Sequence, residues 1–237
     1  MSQIELFSSE DIAKIHLPKE IKYLNIGVDE LIEMLAKFPL EDAPKIIYAD
    51  PPWSYSQAPG VANPELQYEI MTDKRIAEHL RATHPIAAKN SRLVTWSTWP
   101  KLAEFWKEFG SGTPWKYVTG GSWHKEGGNG GVGYHWLGRS EPILVYKKGS
   151  PTLRWDSFSN AHNSRPDRHS VKPVGFLEGM LERWTDEEDL IVDLYAGLGS
   201  MALACHNTGR RYLGAEIDKC RHLQGLNWLF ARGCGWQ

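Results

Sequence analysis

The sequence predicts a doubly wound α/β sheet in one domain spanning its 237 residues. Three observations predict it. Ile46-Ile47-Tyr48-Ala49 is an apolar run too short for a helix, and Asp50-Pro51-Pro52-Trp53 closes it. Far downstream, Leu190-Ile191-Val192-Asp193 leads into a tight turn at Gly197 and Gly199, then a helical run from Met201 to Thr208 closed by Gly209. A further strand, Arg211 to Ala215, ends at Glu216 with Asp218 just beyond. Each strand thus delivers acids to the carboxyl edge of a sheet, where open α/β folds bind ligands.

Between these anchors the elements read in order. Residues 1–20 are mixed and polar, an N-terminal extension or partner arm. Ile21 to Val28 reads as a strand, and Asp29 as the cap of a helix from Glu30 to Phe38 with Leu31, Leu35 and Phe38 on one face. After the acid-diproline corner, residues 54–70 form a loop rich in Pro, Ser, Gln and Ala, a candidate lid. A helix over 72–82, a strand over 92–97 and a helix over 100–109 follow. Strands over 115–123 and 142–147 flank the glycine-rich Glu126–Gly133, which reads equally as a disordered hairpin tip or as a stretch that follows a bound strand. Residues 124–138 and 149–169 are further candidate substrate-facing loops. His169-Ser170-Val171-Lys172-Pro173 opens a helix running to Trp184, with Pro173 at the first helical position. No repeat or linker divides the chain.

Composition bounds the partners. The formal charge is −2 and the pI about 6.5, so the whole chain does not advertise a polyanion ligand. From Arg139 to Lys172, however, seven Lys/Arg face three acids, interleaved with Trp136, Trp155, Phe158, His162 and His169. That mixture suits a phosphate backbone and an unstacked base; the alternative is an ordinary solvated loop. Among eleven tryptophans, Trp96, Trp99 and Trp106 fall on or beside regular elements and read as structural. Trp53, Trp123 and Trp136 fall on loops and are the candidates for base contact. The three cysteines have no Cys-x-x-Cys spacing and the nine histidines no metal-site spacing, so no metal is expected. No run approaches about 18 apolar residues, and the N-terminus has no apolar signal core, so an intracellular, cytoplasmic protein without membrane spans is expected.

The glycine turn admits two ligands. Gly197-x-Gly199-x-x-Ala202 fits a dinucleotide fingerprint, with Glu216 about 20 residues on to bind a ribose. Two features weigh against NAD: only 21 residues follow Glu216, too few for a catalytic half, and Asp193-x-Tyr195 puts an acid where a pyrophosphate would be repelled. An adenosyl ligand with a cationic amino-acid tail suits that acid.

Asp-Pro-Pro-Trp upstream and Asp-x-Tyr-x-Gly-x-Gly downstream resemble the amino-methyltransferases that use S-adenosylmethionine. The permuted order, catalytic motif first and cofactor loop last, is similar to their β-type arrangement. The details resemble the MT-A70-like adenine-N6 branch: Tyr68-Glu69-Ile70-Met71, Leu93-Val94-Thr95-Trp96-Ser97-Thr98, Trp123-His124-Lys125, Gly131-x-Gly133-Tyr134-x-Trp136, Arg139, Glu141-Pro142-Ile143-Leu144-Val145 and His169-Ser170-x-Lys172-Pro173. The likeness spans about residues 45–218. One departure is an intact glycine loop where MT-A70 proteins often have a degenerate one. A second is the lack of a separate target-recognition domain, which puts sequence specificity in doubt more than chemistry.

The resemblance implies a Rossmann-like methyltransferase domain that methylates the N6 amine of adenine in DNA, with the base flipped or unpaired. It implies that Asp193, Tyr195, Ala196, Gly197, Gly199, Glu216, Ile217, Ser170, Lys172 and Asp50 hold S-adenosylmethionine. Trp53, Tyr55, Tyr68, Trp123, Trp136, Arg139, Arg165, Arg168 and His169 are the implied substrate contacts. Asp50, Pro51, Pro52 and Trp53 form the implied catalytic corner. The adenine amine is a poor nucleophile because its lone pair is delocalised into the ring. Accepting hydrogen bonds from both its N–H groups turns that lone pair outward. The Asp50 carboxylate accepts one and the Pro51 carbonyl the other, held by prolines whose φ is fixed near −65°, while Trp53 offers a stacking face. Lys172 holds the cofactor carboxylate, or keeps Asp50 ionised if the two lie close. RNA adenine methylation, an NAD oxidoreductase and a silent nucleic-acid-binding subunit remain alternatives, and the methylated sequence, oligomeric state and biological role stay open.

Overall fold

The structure, a computed structural model, describes residues 21–54, 70–127, 138–153, 159–165 and 171–234. Among these, eight strands form one sheet: β1 (Ile21–Leu24), β2 (Ile46–Ala49), β3 (Ser91–Trp96), β4 (Lys116–Lys125), β5 (Ser140–Lys148), β6 (Ala161–Ser164), β7 (Leu190–Asp193) and β8 (Arg211–Ala215). Six α-helices connect them: α1 (Val28–Leu35), α2 (Asp73–Ile86), α3 (Trp99–Gly110), α4 (Val174–Trp184), α5 (Ser200–Thr208) and α6 (Lys219–Phe230). The spatial order is β1-β8-β7-β2-β3-β5-β4-β6. β1, β8, β7, β2 and β3 run parallel, while β5 is antiparallel to both β3 and β4.

The two central strands explain their own sequences. Every residue of β2 and β7 is buried, because helices cover both faces of the parallel part of the sheet; such strands read as unbroken apolar runs rather than alternations. Successive side chains still point to opposite faces. Ile46, Tyr48 and Ile191 join one core with Phe176, Leu177 and Met201. Ile47, Ala49 and Val192 join the other with Leu31, Ile76 and Phe105.

β2 continues through α2 to β3 on one side, whereas β7 continues through α5 to β8 on the other. Connections that leave neighbouring strands in opposite directions open a crevice at the carboxyl edge. The acid-diproline corner and the glycine turn therefore emerge side by side.

Several boundaries differ from expectation. The first strand stops at Leu24, and α1 begins at Val28 with Gly27 as its cap. Asp29 is not that cap; its carboxylate pairs instead with Arg75 and His79 of α2. The helix before the glycine turn starts at Val174, so Pro173 is its cap residue and not its first turn. Loop 149–169 contains β6, which runs parallel to β4. The extension 1–20, most of the candidate lid (55–69) and most of the glycine-rich stretch (128–133) lie outside the described residues.

Candidate active site

Register brings the two motifs together. Tyr48 of β2 pairs with Asp193 of β7, and the Leu194 N–H donates to the Tyr48 carbonyl at 3.0 Å. Asp50 and the glycine turn thus leave adjacent strands within two residues of the same rung. The segment before α4 joins them, since the Lys172 N–H donates to Ser200 Oγ at 3.1 Å, at the start of α5.

Around Asp50 runs a chain of alternating charge. Lys172 Nζ lies 2.6 Å from Asp50 Oδ2 and 3.2 Å from Glu141 Oε2. Glu141 pairs in turn with Lys125. Lys172 Nζ also sits 5.1 Å from the Trp96 ring centroid, and Trp96 donates through Nε1 to the Tyr48 hydroxyl at 2.6 Å. Burial pushes the Asp50 carboxyl above the usual carboxylate range, and the Lys172 ammonium pulls it back down only in part. Burial acts the same way on Glu141, but Lys172 and Lys125 outweigh it and hold that carboxyl below its usual range. Burial opposes the Lys172 charge, and Asp50 and Glu141 overcome it, so the ammonium is held more firmly than usual. Lys172 thus lies close enough to act on the ionisation of Asp50, the condition attached to that role.

The diproline corner is more self-contained than expected. The Pro51 carbonyl accepts from Trp53 N–H at 2.9 Å and the Pro52 carbonyl from Met71 N–H at 2.8 Å. One lone pair of the Pro51 oxygen is thereby committed to a three-residue turn, leaving the other for a second donor. Trp53 does not offer a stacking face: it is 4% exposed, edge-on to Phe105 at 5.2 Å, and its Nε1–H finds no acceptor among the described residues. Trp123 is likewise buried, edge-on to Trp96, with Nε1 donating to Ser164 Oγ at 2.9 Å. Long side chains at a loop entrance bury their own apolar area when neighbouring elements close over them.

The glycine turn is built as a cradle. Gly197 (φ 55°) has no atom within 4 Å of where a Cβ would stand, whereas a Cβ on Gly199 (φ 86°) would meet Leu229 of α6 at 2.7 Å. Glu216 spans the turn, Oε2 accepting from Gly197 N–H at 3.0 Å and Oε1 from Asp218 N–H at 2.9 Å. Ala196 N–H donates to the Ala215 carbonyl, and Ile217 beyond Glu216 is exposed. Asp193 is fully buried and accepts from Tyr195 N–H and the Tyr212 hydroxyl, both at 3.2 Å. Burial, with further help from Asp50 and Glu216, pushes its carboxyl up to about 8 against those two hydrogen bonds. The Tyr195 hydroxyl meets His79 Nδ1 at 2.9 Å and Met71 Sδ at 3.7 Å, tying the glycine turn to the far end of the loop that follows the diproline corner.

Of the remaining expected contacts, Arg139 is exposed, and the Arg165 guanidinium lies over the Gly127 turn. Tyr55, Tyr68, Trp136, Arg168, His169 and Ser170 fall outside the described residues. Glu141 and Lys125 were not singled out as site residues. Their signal was membership of the landmarks Trp123-His124-Lys125 and Glu141-Pro142, on two strands that join the site only on folding.

Comparisons with known proteins agree with this geometry. Residues 154–224 match a family model described as DNA methylase. The YubD protein of Escherichia coli (strain K12), a methylase by name, is 25% identical over 214 residues, covering 85% of this chain and 88% of its own. The type II methyltransferase M.HhaII of Haemophilus parahaemolyticus is 28% identical over 156 residues, covering 62% and 67%. Among solved structures, the M1.HpyAVI–SAM complex superposes with a TM-score of 0.68 at 15% identity, covering 88% of this chain and 99% of that one. The PvuII DNA methyltransferase, cytosine-N4-specific, gives 0.65 at 10% identity, covering 88% and 87%. The chain is thus similar to DNA methylases over residues 154–224 and has a Rossmann-like methyltransferase fold.

Proposed function

We propose that the chain transfers a methyl group from S-adenosylmethionine to the N6 amine of adenine in DNA. The observation that carries the reading is the register of β2 on β7, which sets the Asp50 carboxylate beside the glycine turn. A cationic ligand fits this turn on the charges alone. Asp50, Asp193 and Glu216 converge there, and Asp193 is raised to about 8 by burial, with Asp50 and Glu216 adding to it. An incoming cation favours the ionised form of Asp193, whereas a pyrophosphate would oppose it and meet the Glu216 carboxylate as well. When bound, S-adenosylmethionine supplies an electrophilic methyl on a sulfonium centre, and Asp193, Gly197, Glu216 and Ile217 are the residues that would hold it.

The acceptor chemistry rests on Asp50. Lys172 occupies Oδ2 at 2.6 Å, and among the described residues Oδ1 is left to accept from the acceptor amine; the second lone pair of the Pro51 carbonyl takes the other N–H. These two acceptors turn the nitrogen lone pair out of the base plane and orient it for in-line displacement. Adenine is favoured over cytosine, whose exocyclic amine poses the same problem, by the Asp-Pro-Pro-Trp corner and the MT-A70-like landmarks around it. DNA is favoured over RNA by the family model that residues 154–224 match, which is described as DNA methylase.

Incubating the protein with tritium-labelled S-adenosylmethionine and DNA, RNA or no acceptor, then digesting to nucleosides, tests this directly. Label in N6-methyladenine from DNA is expected. Asp50→Ala should lower transfer by at least about 100-fold while cofactor binding persists. Label in N4-methylcytosine would correct the acceptor, and full turnover by a folded Asp50→Ala would remove Asp50 from the reaction.

A further inference from the structure

We infer that Trp99 is a stacking platform for an unpaired base flanking the target base. The inference rests on the reading of this protein as a DNA methyltransferase. Among the described residues, Trp53 and Trp123 are both buried, so neither offers an aromatic face to an unstacked base. Trp99 supplies one at the same edge of the sheet.

Exposed apolar side chains are common singly, but three observations set Trp99 apart. First, it is 53% exposed although its indole is held: Nε1 donates to Ser140 Oγ at 2.8 Å. A ring fixed by one edge and open to solvent loses little freedom when a base stacks on it. Second, register places it on the rim. Ala49 pairs with Thr95 and Trp96 with Ile143, which sets Trp96 level with Asp50. Trp99 stands three residues further out, roughly 10 Å along the strand direction, or about three stacked base steps. Third, its anchor stands on the strand that carries the charge chain. Ser140 opens β5 one residue before Glu141, which pairs with the Lys172 that holds Asp50, the two side chains projecting to opposite faces of the same rim.

Trp106 lies on the same helix but belongs elsewhere. It packs edge-on against Tyr117 at 4.5 Å, about 10 Å further along α3 from the rim. It is the natural control.

The test uses a fluorescein-labelled oligonucleotide with one adenine among thymines, and the same oligonucleotide made abasic at three positions on each side. Binding is read by anisotropy and methyl transfer by label. Trp99→Ala should weaken binding and raise KM for the oligonucleotide by about 5- to 150-fold, with KM for S-adenosylmethionine unchanged. Trp99→Phe should keep most of the affinity, and Trp106→Ala should match the parent. The abasic flanks should cost the parent a similar factor and cost Trp99→Ala almost nothing. Unchanged DNA affinity in Trp99→Ala, or an abasic penalty equal in both proteins, overturns the platform while methyl transfer by the parent leaves the proposed reaction standing. If the parent binds the oligonucleotide but transfers no methyl, the reaction fails and anisotropy still decides Trp99. If the parent binds no DNA, both fall.

Discussion

Asp50 carries its charge against its surroundings. Burial raises its carboxyl, and the nearby Glu141 carboxylate adds to the rise, against Lys172 at 2.6 Å and Lys125 beyond; Asp193 and the Tyr48 hydroxyl are the other titrating groups it influences. As an acceptor it works only when ionised, so methyl transfer should fall with pH through a limb above the ordinary carboxylate value. Lys172→Met removes the main opposing charge. It should move that limb to higher pH and destabilise the fold by about 3–5 kcal/mol, since Asp50 loses its ion-pair partner while Glu141 keeps only Lys125; pH–rate profiles and urea denaturation measure the two effects. Asp193 gives a separate prediction. Its folded value of about 8 exceeds the ordinary 3.8, so it contributes stability below about pH 4 that is lost as pH rises towards 8. Without ligand, Asp193→Asn should therefore gain Tm over the parent progressively from pH 5 to pH 8, and an offset independent of pH would contradict this. Asp50 and Asp193 were legible in the sequence because each ends an unmistakable buried strand. Glu141 was not, because its partner Lys172 lies 31 residues away in sequence and only the sheet brings them within 3.2 Å.

Elements built on simple patterns were read well, and those depending on neighbours were not. β2, β7 and β8 stand where their apolar runs place them, and α5 ends at Gly209, which takes the left-handed conformation (φ 69°) that the turn needs. β6 was missed because Ala161-His162-Asn163-Ser164 has neither apolar alternation nor β-branched residues; it is a strand only because β4 offers it an edge. Asp29 looked like a cap from local sequence, yet α2 draws its carboxylate to Arg75 and His79 instead. At this scale the glycine turn is the sharpest test. A Cβ at position 199 would combine a positive φ with a 2.7 Å approach to Leu229. Gly199→Ala should cost about 1–3 kcal/mol and weaken S-adenosylmethionine binding, measured by urea denaturation and calorimetry. Gly197→Ala meets no neighbour, so its cost should be confined to the backbone conformation.

At the scale of the whole molecule, the permuted order of motifs becomes intelligible. From the edge strand β1 the chain crosses to the middle of the sheet at β2, builds outward through β3, and returns at β7 and β8 to fill the gap between β2 and β1. Motifs separated by more than 140 residues of sequence thereby share one crevice. That neighbourhood was legible because both motifs follow parallel strands. The burial of the tryptophans was not, since whether a loop aromatic is covered depends on what folds over it: Trp53 and Trp123 are enclosed, while Trp99 and Trp106, read as structural, stand exposed. The basic stretch from Arg139 to Lys172 predicts DNA affinity that falls steeply with salt, by a slope of about −0.7 per phosphate neutralised on single strands. Titrations at several salt concentrations measure it, and a flat response would remove that stretch from the interface. No described helix is long and apolar enough to cross a membrane.

The most direct measurement is a crystal structure of the protein with a non-transferring analogue of S-adenosylmethionine and an adenine-containing oligonucleotide. The account predicts the analogue along residues 193–199, with the adenine amine hydrogen-bonded to Asp50 and about 3–3.5 Å from the position of the transferable carbon. An analogue bound away from the glycine turn, or an acceptor amine that does not touch Asp50, would contradict it.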